Sequence, residues 1–517
     1  MNAIKYEPGH GQYEPSAAAY FENIKNNPAA LRQFFAAMPK GGDIHNHLTG
    51  SAYAETYFEL AAKKRMYVNL ETGRLYKSAP ADIETIRLSP DMDDLHNKRM
   101  ALIDKWSIRN FQPTRYPLGP DEYFFGTFGL LSALTTDIDN LAYLMHELKV
   151  RAVRENVQYL EVLGCSPSVP EDCLLDNDKY AAYDQTLKEC VKHGWYTAAD
   201  NAEKNAQQIL SEILNIYDGA ATDAVAMYSE LITQLDEESN GHPDDKYPAV
   251  DTSPVLCCYQ GYSSRSGEPL KVLAQLYVVH KACNDDPNKL LVGCNIVAAE
   301  DGEKSMLYYR LHMEMFKALA ARFPDVLTSL HAGELTLGLV RPEHLTYHIG
   351  QAIRIAGAHR IGHGVDLPFE HGSVGILQAM SPEKEEKKSL QAMDQEEVKK
   401  IPVEINLTSN EFILGVKGND HPVMLYHQAG VPLIISTDDP GILRTSLTEQ
   451  YTLAVLRYGF SYGDIKDIVY NSINYSFLSE EKIDQLKSLD DLFEAFEKGI
   501  NDILVIPGKL DHPKSGN

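Results

Sequence analysis

In the stretch GGDIHNHLTGS, residues 41–51, two histidines stand two positions apart directly after an apolar step. Side chains of an extended segment alternate between faces, so His45 and His47 project the same way and can converge on one atom. A metal ion is such an atom, although an isolated pair at this spacing also describes one packed and one solvated histidine. The missing donors must come from elsewhere in the chain. Three later stretches offer them: His331 and Glu334 in VLTSLHAGE, His363 in HRIGHGV, and Asp438 and Asp439 in PLIISTDDP. In each, the polar group stands at the end of an apolar run rather than inside it. Taken singly, His331 or His363 reads as a hydrogen-bonded core or rim histidine, and Glu334 as a partner for a nearby arginine. The aspartate pair alone reads as a turn with a helix cap before Pro440. Together they place polar groups at the same end of several different strands.

Three imidazoles and one carboxylate suit Zn²⁺ with a position left open for water, and His45, His47, His331 and Asp438 fill those places. A water held by such an ion has its pKa lowered from about 16 to roughly 7, which supplies a nucleophile at neutral pH. Glu334 is not needed as a ligand and stands ready to carry a proton to the substrate. His363 can accept the proton of the water or orient it. Asp439 can accept a hydrogen bond from that water or from a ring nitrogen of the substrate.

The elements that must position these residues follow from the alternation of short Val/Ile/Leu runs with longer helical patterns. Candidate strands are GDIHNHL, VQYLEVLG, KVLAQLYVVH, LLVGCNIV, VLTSLHAGE, HRIGHGV, VEINLTSN and PLIISTDD. Between the fourth and fifth, residues 304–323 carry Leu307, Leu311, Met315, Leu319 and Phe323 at helical spacing. Repeated strand and helix units imply parallel pairing under a helical cover, and eight strands close a (β/α)₈ TIM barrel. The carboxyl ends of such strands meet at one mouth, where the polar residues gather. The expected organisation is an N-terminal extension over 1–37, with a short helix around PAALRQFFAAM, then the barrel over 38–510 and a tail over 511–517. Segments 66–116 and 165–268 are too long for ordinary loops and read as partly helical insertions. The run SPEKEEKKSLQAMDQEEVKK reads as a solvated helix face.

Composition limits the partners. Hydrophobic residues at 44% and charged residues at 23% describe an ordinary globular chain with a sizeable core. The 48 basic against 73 acidic residues give a net charge of -25, which disfavours nucleic acid and anionic membrane surfaces and leaves a small molecule as the expected ligand. Seven cysteines without a CxxC pair indicate neither a disulfide framework nor a cysteine zinc site. The first twenty residues lack the apolar stretch of a signal peptide and no window reaches a membrane span. A cytoplasmic location is expected, with export the alternative if a leader is missing from this chain.

The motifs MPKGGDIHNHLTGS, HAGE, RIGHGV, EINLTSN and STDDP, in that order across residues 38–440, resemble the adenosine deaminase family of metal-dependent hydrolases, or amidohydrolases. The length, the opening MPKGG and the stretch VGCNIVAAED look like its longer branch, related to adenosine deaminase growth factors. The resemblance implies one Zn²⁺ on His45, His47, His331 and Asp438. It implies Glu334 as the acid that protonates N1 of a purine, and His363 and Asp439 at the hydrolytic water and N7. It also implies hydrolysis of a carbon–nitrogen bond in a cyclic amidine, turning adenosine and 2′-deoxyadenosine, purine nucleosides, into inosine-type products and ammonia. Substrate contacts are expected at Ala298, where the family usually has a glycine whose backbone faces the purine, and at Thr49, where an acidic residue commonly holds the ribose. Leu163 stands where YLEVR often supplies an arginine. AMP, a modified adenine nucleotide or free adenine would keep the same catalytic residues. A purine-binding barrel without activity is the other alternative.

Overall fold

Eight parallel strands follow one another around a barrel in chain order: β1 (Gly42–His47), β2 (Tyr159–Leu163), β3 (Leu256–Ser264), β4 (Leu291–Val297), β5 (Leu327–Ala332), β6 (Arg360–His363), β7 (Val403–Ile405) and β8 (Leu433–Ile435). The computed structural model describes residues 7–92, 94–192, 201–240, 250–382 and 400–505. The end of β8 closes on β1 through a parallel bridge between Asn46 and Asp438. There His47 N–H donates to Asp438 O (2.9 Å) and Asp438 N–H donates to His45 O (2.9 Å). The side chain of Asp43 reinforces the closure by accepting from Thr437 Oγ1 (2.6 Å) and Thr437 N (3.2 Å). Barrel closure therefore carries Asp438 to the two histidines of β1. This is the expected (β/α)₈ architecture.

One strand differs from the sequence expectation. KVLAQLYVVH lies in a helix, Pro269–Asp285, and the third strand is LCCYQGYSS, inside the segment read as an insertion. The helix is apolar around most of its circumference, with Leu270, Val272, Leu273, Leu276, Tyr277, Val278 and Val279 all buried. It is sandwiched between the barrel strands and further helices from residues 177–240. A fully buried helix loses the polar face that would reveal its period, so its apolar run imitates a buried strand. β3 escapes notice for the opposite reason. Its Gln260 points into the barrel, where Nε2 donates to Glu161 Oε1 (2.8 Å), so a polar residue sits inside a buried strand. VEINLTSN likewise splits into β7 and a helix, Leu407–Leu414, that starts at once. In the helix Glu303–Arg322, Leu307 is exposed while Leu311, Met315 and Leu319 are buried.

The other segments pack around this frame. Helices Glu14–Ile24 and Pro28–Ala37 cover the barrel beside the C-terminal helix Leu489–Val505, through rings such as Phe21, Phe34, Tyr462 and Phe496. Pro28 and an Asn27 side chain accepting from Ala29 N and Ala30 N start the second of these helices. Residues 66–116 hold a small antiparallel sheet (Tyr67–Val68, Leu75–Tyr76, Ile86–Arg87) and the helix Leu95–Lys105. Residues 166–255 hold the helices Asn177–Lys192, Asn201–Ala220 and Thr222–Asn240. Most of the charged run, 383–399, and the tail 511–517 lie outside the described residues. Among the described residues, no helix is long and apolar enough to cross a membrane.

Candidate active site

At the carboxyl ends of β1, β5 and β8 the structure brings together His45, His47, His331 and Asp438, whose nearest donor atoms all lie within 4.8 Å of one another. His47 Nε2 is 3.2 Å from His331 Nε2 and 3.3 Å from Asp438 Oδ1, and His45 Nε2 is 3.5 Å from the same oxygen. Four donors bound tetrahedrally at about 2.0–2.2 Å stand about 3.3–3.6 Å apart, so the spacing matches a site for a metal such as zinc. His45 Nε2 is buried and has no hydrogen-bond partner among the described residues, which leaves it free to bind a metal.

Two of the three imidazoles, His45 and His331, are turned by a second buried group. His45 Nδ1 donates to Glu404 Oε2 (2.6 Å), and Glu404 Oε1 accepts from Ser329 Oγ (2.8 Å) and Arg360 Nε (2.5 Å). Arg360 also pairs with Glu161, so a charged network fills the barrel beneath the site. Burial acts to raise the pKa of Glu404, but Arg360 and His45 outweigh it and take it down to about 2. Burial acts to lower His45, yet Asp438 and Glu404 raise it to about 10, so this pocket favours a cation at His45, whether proton or metal. His331 Nδ1 meets Asn295 Oδ1 (3.0 Å), which leaves Nε2 to face the other donors. Carboxylate and amide partners of this kind fix which nitrogen of a histidine binds a metal.

Glu334 and Asp439 adjoin this group, and His363 ends β6 beside it. Burial, then the charge of Asp438, pushes both carboxyls well above the usual carboxylate range. Glu334 Oε1 and Asp439 Oδ1 are buried without hydrogen-bond partners among the described residues. The turn that presents Glu334 is clamped by Glu300, whose two oxygens accept from Gly333 N (3.1 Å) and Glu334 N (2.8 Å). Glu300 itself is held by His348 Nδ1 (2.5 Å) and Arg265 NH1 (3.5 Å). On the far side of Asp439, a Cβ on Gly50 would come within 1.6 Å of Asp439 Oδ1, which explains the glycine there.

The cavity above these groups measures about 610 Å³, and His47, His331, Glu334, His363, Asp438 and Asp439 all line it. So do Thr49 and Ala298, the two expected substrate contacts. Its other wall comes from Phe124, Phe125 and Phe128 on the helix Pro120–Thr135. Ala298, His363 and Asp438 have φ of 83°, 67° and 62°, left-handed backbone rarely adopted by residues with a side chain, and such strain gathers at functional sites. Sequence reading missed Glu404, Asn295, Glu300 and the phenylalanines. Glu404 left a signal, a carboxylate within the apolar VEI of a buried strand. Arg265 at the end of β3, donating to His331 O (2.7 Å), supplies an arginine to the barrel top that β2, ending in Leu163, does not.

Comparison with known proteins agrees with this geometry. Residues 268–492 match the family described as adenosine deaminase. An adenosine deaminase of Clostridium kluyveri is 28% identical over 200 residues, 38% of this chain and 49% of that protein. An N6-methyl-AMP deaminase of Homo sapiens is 31% identical over 129 residues, 25% of this chain and 32% of that one. The chain thus spans about half the length, or less, of the curated relatives it matches. A crystal structure of an amidohydrolase from Burkholderia ambifaria with bound Zn has the same fold, with a TM-score of 0.51 at 16% identity over 91% of this chain and 94% of that one. The family match covers β4 to β8, and barrel closure adds the two histidines of β1 to the same rim: over residues 268–492 the chain is similar to the adenosine deaminase family.

Proposed function

We propose that the chain binds one Zn²⁺ and hydrolyses adenosine and 2′-deoxyadenosine to inosine or 2′-deoxyinosine and ammonia. The observation that carries this reading is the position of Glu334, buried in the cavity it shares with His47, His331 and Asp438, where burial pushes its carboxyl above the usual carboxylate range. A carboxylic acid that stays protonated near neutral pH can give its proton to N1 of the purine and make C6 electrophilic. Zn²⁺ on His45, His47, His331 and Asp438 would lower the pKa of the attacking water to about 7. The water oxygen bonds to C6, the C6–N6 bond breaks, and ammonia leaves with one proton of the water. The other proton of the water restores Glu334. His363 and Asp439 orient the water and hold N7, while the Phe124, Phe125 and Phe128 wall takes the apolar face of the ring.

A nucleoside suits the mouth better than a nucleotide. Lys304 lines the cavity, but its Nζ is held 2.7 Å from Glu268 Oε1 and Glu303 stands beside it in the lining. A phosphate would meet a neutralised lysine and a net charge of -25. The test is loss of the adenine absorbance, with ammonia release, across adenosine, 2′-deoxyadenosine, AMP and adenine. The expected kcat/KM is at least about tenfold higher for the two nucleosides, a difference of 1.4 kcal/mol. A preference for AMP or adenine would overturn the assignment of substrate, and no turnover of any of the four would overturn the assignment of reaction.

A further inference from the structure

Behind His363 a hydrogen-bond chain runs away from the cavity. The backbone N–H of Val423 donates to His421 Nδ1 (3.1 Å), His421 Nε2 meets Asn410 Oδ1 (3.0 Å), and the amide nitrogen of Asn410 meets His363 Nδ1 (2.9 Å). All three side chains are buried, Asn410 and His363 completely. Burial lowers the pKa of His421 to about 4, which keeps its ring neutral.

This chain admits one arrangement of protons. A backbone N–H can only donate, so His421 Nδ1 is an acceptor, and a neutral imidazole then carries its hydrogen on Nε2. His421 Nε2 therefore donates, and Asn410 must turn its oxygen towards it. Reversing the Asn410 amide would set its N–H against the N–H of His421. The amide nitrogen consequently faces His363 and donates to Nδ1, which leaves the single proton of His363 on Nε2. That nitrogen has no hydrogen-bond partner among the described residues, and His363 lines the cavity.

We propose that Asn410 and His421 are positioning residues that lock His363 as its Nε2–H tautomer, so that it meets the reacting oxygen as a hydrogen-bond donor and not as a proton acceptor. The catalytic meaning rests on the deaminase reading above; the tautomer does not. The same contact protects the acid. Glu334 Oε1 lies 3.5 Å from His363 Nδ1, and with that nitrogen occupied by Asn410 the proton of Glu334 is left for the substrate. Of the two roles open to His363 in the sequence, orientation of the water is the one this geometry selects.

The test is long-range ¹H–¹⁵N NMR of the metal-loaded chain labelled at histidine, without nucleoside, with the His363 signals assigned by their loss in His363→Asn. The expected spectrum shows His363 protonated at Nε2 and bare at Nδ1. Asn410→Asp sets carboxylate oxygens against both rings, so the proton of His363 should move to Nδ1. In that variant kcat should fall by about 100-fold or more, with KM within about threefold and the metal content unchanged. A wild-type His363 protonated at Nδ1 overturns the proposal, as does an Asn410→Asp protein that keeps the Nε2–H tautomer or the full kcat. If Asn410→Asp does not fold, the wild-type spectrum decides alone. Absence of adenosine turnover would overturn the proposed reaction and leave the tautomer assignment standing.

Discussion

The cavity wall formed by the ends of β1, β5, β6 and β8 and the wall formed by the helix Pro120–Thr135 are fixed by different forces. On the first, His45, His331 and His363 each lean on a second buried polar group, Glu404, Asn295 and Asn410, and the turn carrying Glu334 leans on Glu300. On the second, Phe124, Phe125 and Phe128 rest in a small cluster with Ile413, Ile442 and Leu443. Directional bonds to buried charges hold atoms to a fraction of an ångström and are costly to break from one side. Apolar contact holds a surface but not an atom. The first wall is therefore suited to set metal content and kcat, and the second to set KM.

The division is tested most severely where the first wall is cut. His331→Ala should purify with little metal and no turnover, because it removes one of four donors. Glu334→Gln should keep the metal and still lose about 10²- to 10⁴-fold in kcat, because it removes a proton and no ligand. Elemental analysis beside initial rates separates them, and equal metal loss in both would merge two roles kept apart here. One step back from the metal, Glu404→Gln should weaken metal affinity by about 10- to 100-fold in a chelator competition. It should also destabilise the fold, since Arg360 would keep its charge beneath the site with Glu161 as its remaining carboxylate. Unchanged metal affinity would show that His45 needs no anchor.

Across the cavity, Phe128→Ala should raise KM for adenosine by about tenfold and leave kcat within about twofold, because an apolar side chain contributes about 1.5–3 kcal/mol when covered. A fall in kcat at constant KM would mean that this wall also fixes the reacting geometry.

The two walls also differ in how far the sequence exposes them. His45, His47, His331, His363 and the Asp438–Asp439 pair are legible because each ends an apolar run, and parallel strands in a barrel bring such ends to one rim. The anchors behind them are harder to see. Asn410 stands after the end of β7 in a helix that begins within a stretch read as strand, and Asn295 lies within β4. What they bind depends on neighbours far away in the chain. The phenylalanine wall is harder still, since nothing in PDEYFFGTFGLLSALT says which element it will cover. The misassigned third strand has a related cause: the helices of residues 177–240 bury the outer face of Pro269–Asp285 and erase its amphipathic period.

The smallest expected effect concerns Ala298, which ends β4 next to the polar wall. His363 and Asp438 also occupy left-handed backbone, but their polar side chains have roles in the proposed reaction, whereas Ala298 contributes only a methyl group. A residue with a Cβ costs roughly 1–2 kcal/mol in this conformation, and glycine nothing. Glycine gives back about 0.4–1 kcal/mol through the greater freedom of the unfolded chain. Ala298→Gly should therefore stabilise the protein by about 0.5–1 kcal/mol, read as a small rise in the urea midpoint at unchanged slope. The backbone N–H at this position is common to both residues, so kcat should hold and KM should move by less than about threefold. A destabilised variant would mean that the methyl packs well enough to offset the strain of its backbone. A large rise in KM would place that methyl against the purine, and Ala298 would then belong with the phenylalanines as part of the wall that sets affinity.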